Sequence, residues 1–198
     1  MKSGIYLSYK GLGANLLHLA YCHEIAKKYG PVTIITLCGN LEAALKDDPL
    51  IEKIIFINKY HKRFIDILKL KKLLNTFNFD QIFIFYPSLR IYLASILSNI
   101  KKVFCYPLLK KNKLHLVDVA KKFTEESLGI NNCKTETNFF IKKNKIENIN
   151  KNLDSKKFKI VIGAGSSGLT TKWGAKNFYS LINKLNNNGD YYFFILCG

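Results

Sequence analysis

Apolar positions change spacing repeatedly along the chain, and the changes read as strands alternating with helices. Gly4 to Ser8 is a short apolar run that predicts a strand and leads into the glycine-rich turn Lys10-Gly11-Leu12-Gly13. A helix is expected from about Ala14 to Tyr29, where Leu16, Leu19, Ala20, His23 and Ala26 recur at helical spacing. Gly30-Pro31 stops it, a glycine to end the helix and a proline that cannot continue it. Val32 to Leu37 is apolar and rich in β-branched residues, the composition of a buried parallel strand. Leu41 to Lys46 reads as a short helix and Ile54 to Ile57 as a third strand. Phe64, Ile67, Leu68, Leu74 and Phe77 predict an amphipathic helix, with a fourth strand at Gln81 to Tyr86. A helix over Leu89 to Leu97, a fifth strand over Val103 to Tyr106 and a longer helix from His115 to Leu128, ended by Gly129, complete this pattern.

Strands and helices alternating at this pitch predict an α/β fold with a parallel sheet covered on both faces. The stretch from Lys142 to Lys159 is rich in Lys and Asn and poor in apolar residues, the composition of a linker or of a charge-rich helix. The pattern then restarts. A strand at Lys159 to Ile162, a glycine-rich loop at Gly163 to Gly168, a helix at Ala175 to Asn186 and a strand at Tyr191 to Leu196 follow in order. The domain organisation expected is therefore a first Rossmann-like domain over 1–141, a linker over 142–157 and the beginning of a second Rossmann-like domain over 158–198. Two strands and one helix cannot bury both faces of a sheet, so this second domain is expected to be incomplete.

Composition narrows the class. With 48% hydrophobic and 23% charged residues, the 198-residue chain matches globular proteins and excludes collagen-like, disordered and membrane-spanning classes. No run approaches the roughly 20 apolar residues of a transmembrane helix. Lys10, His18, His23 and Glu24 interrupt the apolar start, which argues against a signal peptide. Five cysteines form no Cys-x-x-Cys pair and read as reduced, packed thiols of a cytoplasmic protein. The formal charge of +17 raises the possibility of a basic nucleic-acid-binding domain. Lysine, however, supplies 29 of the 31 basic residues, and the excess is spread over the chain rather than gathered in an arginine-bearing stripe. A solvated basic surface attracted to anionic membranes or glycans fits better than a specific nucleic-acid footprint.

Two strand–turn–helix junctions carry the candidate chemistry, because each aims backbone N–H groups and a helix dipole past the strand ends. The first, Gly11-Leu12-Gly13-Ala14-Asn15-Leu16, lacks the third glycine of the dinucleotide fingerprint, and Cys38-Gly39-Asn40 supplies no acid for a ribose. A nicotinamide or flavin cofactor is therefore not expected, and the turn reads either as a packing device or as a substrate-facing surface. The second loop, Gly163 to Trp173, offers Gly165, Ser166, Ser167, Thr170, Thr171 and Lys172. Backbone amides, hydroxyls and a lysine point charge suit a diphosphate, with a structural loop as the alternative. No His/Cys/Asp/Glu cluster has metal-ligand spacing.

The order of these motifs resembles the family-nine glycosyltransferases, the ADP-heptose:lipopolysaccharide heptosyltransferase group, whose GT-B fold sets two Rossmann-like domains face to face. Gly11 to Leu17 is similar to that family's Leu-Gly-Asp turn, and Tyr86-Pro87-Ser88-Leu89-Arg90 through Val103 to its following helix and strand. His115-Leu116-Val117-Asp118 running to Leu128-Gly129-Ile130 is similar to its His-x-x-Asp helix. Gly163 to Trp173 with Asn177 to Ile182 is similar to its Pro-Gly and Lys-Arg-Trp-Pro signature, and Phe194 to Gly198 to the strand beyond it.

The resemblance implies an inverting, metal-independent enzyme that moves a heptose-like sugar from an ADP-sugar-like donor to an anionic lipopolysaccharide-type glycolipid at the inner membrane face. In that reading 1–141 is the acceptor side, with Lys10, Gly11, Gly13 and Asn15 forming the acceptor-facing turn. Gly165 to Lys172 would hold the donor diphosphate, and no separate cofactor is needed. Two departures stand out. The family's general-base aspartate is Ala14 here, and Lys172 stands one place later than the family's lysine. The catalytic base is thus unassigned; His18, one helical turn beyond Ala14, is a candidate, with a packed histidine as the alternative reading. A catalytically silent homologue or binding module is the rival that Ala14 motivates. The donor-nucleotide motif that the resemblance implies would fall beyond Gly198, so this stretch alone is not expected to be active.

Overall fold

In the computed structural model five apolar runs form β1 (Ser3–Leu7), β2 (Val32–Thr36), β3 (Ile51–Phe56), β4 (Gln81–Ile84) and β5 (Lys102–Cys105). All pair in parallel, in the order β3-β2-β1-β4-β5. The structure describes residues 1–57, 66–107, 114–151, 153, 157–165 and 173–196. The chain divides into two units, Met1–Ile141 and Lys142–Gly198.

Period-two alternation sorts the strand side chains of the first unit onto two faces. Ile5, Leu7, Ile34, Phe83 and Phe85 share one apolar cluster with residues of α2 (Leu19–Tyr29), α3 (Leu41–Leu45) and α6 (Leu116–Leu128). Tyr6, Ile35, Ile82 and Ile84 share the other with α4 (Asp66–Asn75) and α5 (Leu89–Ile96). Fully burying one such aliphatic or aromatic side chain is worth roughly 1.5–3 kcal/mol. Both faces of the central strands are covered, as expected of a parallel sheet.

Three features differ from, or sharpen, the sequence expectation. The helix expected over 14–29 is two helices, α1 (Leu12–Leu16) and α2, with His18 between them as the N-cap of α2. The third strand starts at Ile51 rather than Ile54, because Ile51 pairs with Val32 before the register shifts at Val32/Thr33. Between Lys142 and Lys159 lies a helix, α7 (Lys143–Lys151), so the charge-rich helix is the alternative adopted there. Phe64 lies outside the described residues.

In the second unit β6 (Phe158–Gly163) and β7 (Tyr191–Leu196) pair in parallel across α8 (Ala175–Asn186). Lys157 and Asp190 form an ion pair at 2.7 Å beside the first residues of the two strands. Phe158, Val161, Ile195 and Leu196 are each more than half exposed.

Candidate functional site

Strand order reverses between β1 and β4. The chain leaves β1 toward the helices on one face of the sheet and leaves β4 toward α5 on the other. The two connections diverge at the carboxyl ends of these strands, the position where open α/β sheets bind ligands. The turn that the sequence singles out lies there. Lys10, Gly11 and Gly13 are exposed, Ala14 is half-buried, and Asn15 and His18 are buried.

The buried members hold the turn in place. Asn15 donates through Nδ2 to the carbonyls of Gly11 (2.7 Å) and Tyr9 (2.9 Å). Its Oδ1 accepts from the Thr36 hydroxyl at 2.8 Å, and Thr36 Oγ1 accepts in turn from the Cys38 amide at 3.1 Å. One side chain thus ties the loop after β1 to the end of β2. His18 Nδ1 lies 2.7 Å from the Ala14 carbonyl. A carbonyl only accepts, so the proton sits on Nδ1 and Nε2 keeps its lone pair, 3.5 Å from the Tyr106 hydroxyl. The imidazole stacks on Tyr9, centroids 4.8 Å apart, and meets Phe85 edge-on at 5.4 Å. Tyr9 is itself anchored by its hydroxyl to the Phe85 carbonyl at 3.0 Å.

Electrostatics follow from this burial. Desolvation holds the His18 pKa below the ordinary histidine value, so the ring is neutral near pH 7. The Tyr9 phenol is pushed up to about 12, first by burial and then by nearby Tyr86. His18 has no solvent-exposed surface, so it presents no atom to an approaching hydroxyl. Its carbonyl contact instead stabilises the break between α1 and α2.

Neither backbone strain nor crowding requires glycine at the two glycine positions of the turn. Gly11 has extended backbone (φ −77°, ψ 137°), and Gly13 lies within α1 and outside the positive-φ region. A Cβ added at either would meet nothing within 4 Å. In a helix interior glycine costs up to about 1 kcal/mol relative to alanine. Neither backbone strain nor crowding demands that cost. No side chain caps α1, and its first turn holds no acid.

For the second loop, Gly165 is described and exposed just past β6, whereas Ser166, Ser167, Thr170, Thr171 and Lys172 lie outside the described residues. Beyond them Trp173 is half-exposed, edge-on to Phe178 at 5.0 Å, and its carbonyl accepts from Asn177 Nδ2 at 2.6 Å. Gly174 has φ +89°, a backbone that the proline of the resembling signature could not adopt.

Other candidate groups take structural positions. His23 donates from Nε2 to buried Asp48 at 2.7 Å, and Asp48 also accepts from the Leu50 amide. His115 caps α6 by accepting from the Val117 amide at 3.3 Å; His61 lies outside the described residues. Cys22, Cys38, Cys105 and Cys133 are free, and burial pushes the Cys105 and Cys133 thiols up to about 11. Among the described residues no group of His, Cys, Asp or Glu could hold a metal ion. Tyr9 and Tyr106, which frame His18, were not singled out by sequence. Tyr9 had one usable signal, an aromatic residue between a strand and a glycine turn; Tyr106 had none, since its partner is 88 positions away.

A family model described as glycosyl transferase 4-like matches residues 8–107, which run from the turn to the end of the fifth strand. Among solved structures, a glycosyl transferase family 9 protein of Veillonella parvula superposes with a TM-score of 0.70 at 17% identity, covering 98% of this chain. The ADP-heptose lps heptosyltransferase II of E. coli gives 0.64 at 13% identity over 98% of this chain. E. coli heptosyltransferase WaaC, solved with ADP-2-deoxy-2-fluoro heptose, gives 0.64 at 13% over the whole chain. This chain spans 62%, 64% and 69% of their respective lengths. No curated protein sequence matches it.

Proposed function

Because the chain belongs to the glycosyl transferase 4-like family, we propose that it serves transfer of a sugar from a nucleoside-diphosphate donor to a hydroxyl of an anionic glycolipid. The observation that carries the acceptor half is the pair of exposed glycines that neither backbone strain nor crowding requires, at the point where strand order reverses. A bare turn lets a bulky acceptor come close to the backbone, and Lys10 and the lysine-rich chain favour an acceptor bearing phosphates or carboxylates.

On the donor side, Gly165, Ser166, Ser167, Thr170, Thr171 and Lys172 are the residues we assign to the diphosphate. In the reaction the acceptor oxygen bonds to the anomeric carbon as the bond to the diphosphate breaks. Negative charge grows on the leaving group, and backbone amides, hydroxyls and the Lys172 ammonium stabilise it. The acceptor proton passes to a base. A heptose-like sugar with an adenosine diphosphate leaving group is the specific form we favour; its support is the fold shared with heptosyltransferases and the order of motifs along the chain.

Ala14 favours a second reading, a silent homologue that binds these ligands without turning them over. Transfer from a labelled ADP-sugar by the intact protein, with and without Ala14→Asp, separates the two. A carboxylate at the mouth of α1 is stabilised by the helix terminus by a few tenths to about 1 kcal/mol, and a general base typically contributes about 10²–10⁴-fold. Gain of turnover in the variant over an inert parent supports the silent reading. Ordinary turnover by the parent overturns it, and slowing by the variant then assigns the base to another residue. Failure of both to bind any sugar nucleotide overturns the transferase reading itself.

A further inference from the structure

We infer that the exposed ring of Tyr86, braced by Tyr9, is a stacking platform for a sugar ring of the acceptor. The inference rests on the transfer reading above and adds the side chains that recognise the acceptor as a carbohydrate. Both tyrosines follow the strands between which strand order reverses, at their carboxyl ends. The Phe85 amide still donates to the Tyr6 carbonyl at 3.1 Å, so Tyr86 is the first residue after β4 clear of the sheet. Tyr9 stands two residues past β1, directly ahead of Lys10 and the glycine turn. The two rings meet edge to face, with centroids 5.9 Å apart and planes at 85°.

An exposed tyrosine by itself needs no explanation. This one is held in place from two sides. Its backbone is fixed by the Ser88 amide, which donates to the Tyr86 carbonyl at 2.8 Å, and by Pro87 with its locked φ. Its ring leans on Tyr9, which is itself stacked on buried His18 and tied through its hydroxyl to the Phe85 carbonyl. Exposure rises outward along this series, from fully buried His18 through half-buried Tyr9 to Tyr86 at 38%. A tyrosine also has few torsions to freeze, so a ligand that rests on it loses little to ordering the side chain. Ligand chemistry follows from the ring. A pyranose chair carries C–H bonds on one face and hydroxyls around its rim. The weakly positive C–H hydrogens fit the electron-rich face of an aromatic ring. The rim hydroxyls can exchange hydrogen bonds with a phenol group and with the backbone of the bare turn alongside. A phosphate or carboxylate offers no such face, so the platform selects the sugar itself rather than its charged substituents.

The test is binding of methyl α-D-mannopyranoside and methyl α-D-glucopyranoside to the 198-residue chain, followed by saturation-transfer NMR. No sugar nucleotide is present, so the test fails separately from the transfer reading, which sugar-nucleotide binding decides. Saturation should concentrate on the ring C–H protons of one face and persist as salt rises, since stacking involves no ion pair. Tyr86→Ala should weaken binding by about three- to tenfold. Tyr86→Phe and Tyr86→Trp should restore it, which a loss caused by misfolding would not allow. Tyr179→Ala, on α8 at 67% exposure, should leave it unchanged. Equal loss from Tyr86→Ala and Tyr179→Ala, or glycoside binding that Tyr86→Ala leaves intact, overturns the platform. Absence of glycoside binding by a parent that does bind a sugar nucleotide overturns it too, with the transfer reading still standing; a parent that binds neither overturns both. Loss of sugar-nucleotide affinity in Tyr86→Ala with glycoside binding unchanged overturns the acceptor assignment and gives the ring to the donor.

Discussion

Gly13 offers the sharpest separation of stability from function. It is exposed, lies within α1, has no left-handed backbone, and a Cβ there meets open space. Gly13→Ala should therefore stabilise the fold by about 0.5–1 kcal/mol, partly through helix propensity and partly by restricting the unfolded chain. In a domain of this size that is a rise of about 1–4 °C in the unfolding midpoint. If the turn receives the acceptor, the same methyl occupies the space into which the acceptor comes. A displacement of about 1 Å at a reacting centre can cost about 10²-fold, so kcat/KM for transfer should fall by about tenfold or more while donor binding is unchanged. Thermal unfolding and a transfer assay with labelled sugar nucleotide on the same preparation decide it. A more stable protein with unchanged kcat/KM refutes the acceptor surface. A less stable protein refutes the statement that neither backbone strain nor crowding requires this glycine.

Three further outcomes follow from the same geometry. Asn15→Leu keeps the apolar bulk but strips donors from two carbonyls and an acceptor from Thr36, so it should cost about 2–5 kcal/mol in urea unfolding; a cost below 1 kcal/mol would show that water replaces those bonds cheaply. Burial holds the folded His18 pKa below its unfolded value of 6.5, so its contribution is complete above about pH 6.5 and is lost below it, at up to about 1.4 kcal/mol per pH unit. His18→Gln should flatten the stability profile in that window. Asp80, lowered from 3.8, acts only in a more acidic one, and an unchanged slope in the variant would rule His18 out as its source. Lys172→Ala should weaken nucleoside-diphosphate binding by about 1.5–3 kcal/mol in calorimetry, and unchanged affinity would place the charge partner elsewhere.

The parallel sheet was legible because its central strands are buried on both faces and therefore written as unbroken β-branched runs, as in Val32 to Leu37. The start of β3 was not. Ile51-Glu52-Lys53 belongs to an edge strand whose Glu52 and Lys53 are exposed, so no apolar run announces it. The break between α1 and α2 was hidden for a different reason. Leu16, Leu19, Ala20 and His23 keep helical spacing straight through it, and the interruption comes from the backbone at Leu17 and His18, stabilised when an imidazole takes the Ala14 carbonyl. The His23–Asp48 pair joins α2 to the loop after α3, 25 positions apart, a contact that only the folded chain creates.

The turn itself was found from its glycines, but its logic is inward-facing and could not be read from them. Every polar side chain that holds it, Asn15, Thr36 and His18, is buried and spent on backbone or neighbouring groups. The surface left outward consists of backbone, the two glycines, Lys10 and the partly exposed Leu12 and Ala14. The turn residues hold no carboxylate or exposed imidazole to take a proton. On the transfer reading proposed above, holding the acceptor and taking its proton fall to different residues. Ala14→Asp supplies the second without disturbing the first, because position 14 is half-buried at the edge of a scaffold whose bonds it contributes only through its carbonyl. The response of that variant, measured beside its donor and acceptor binding, therefore separates proton transfer from binding.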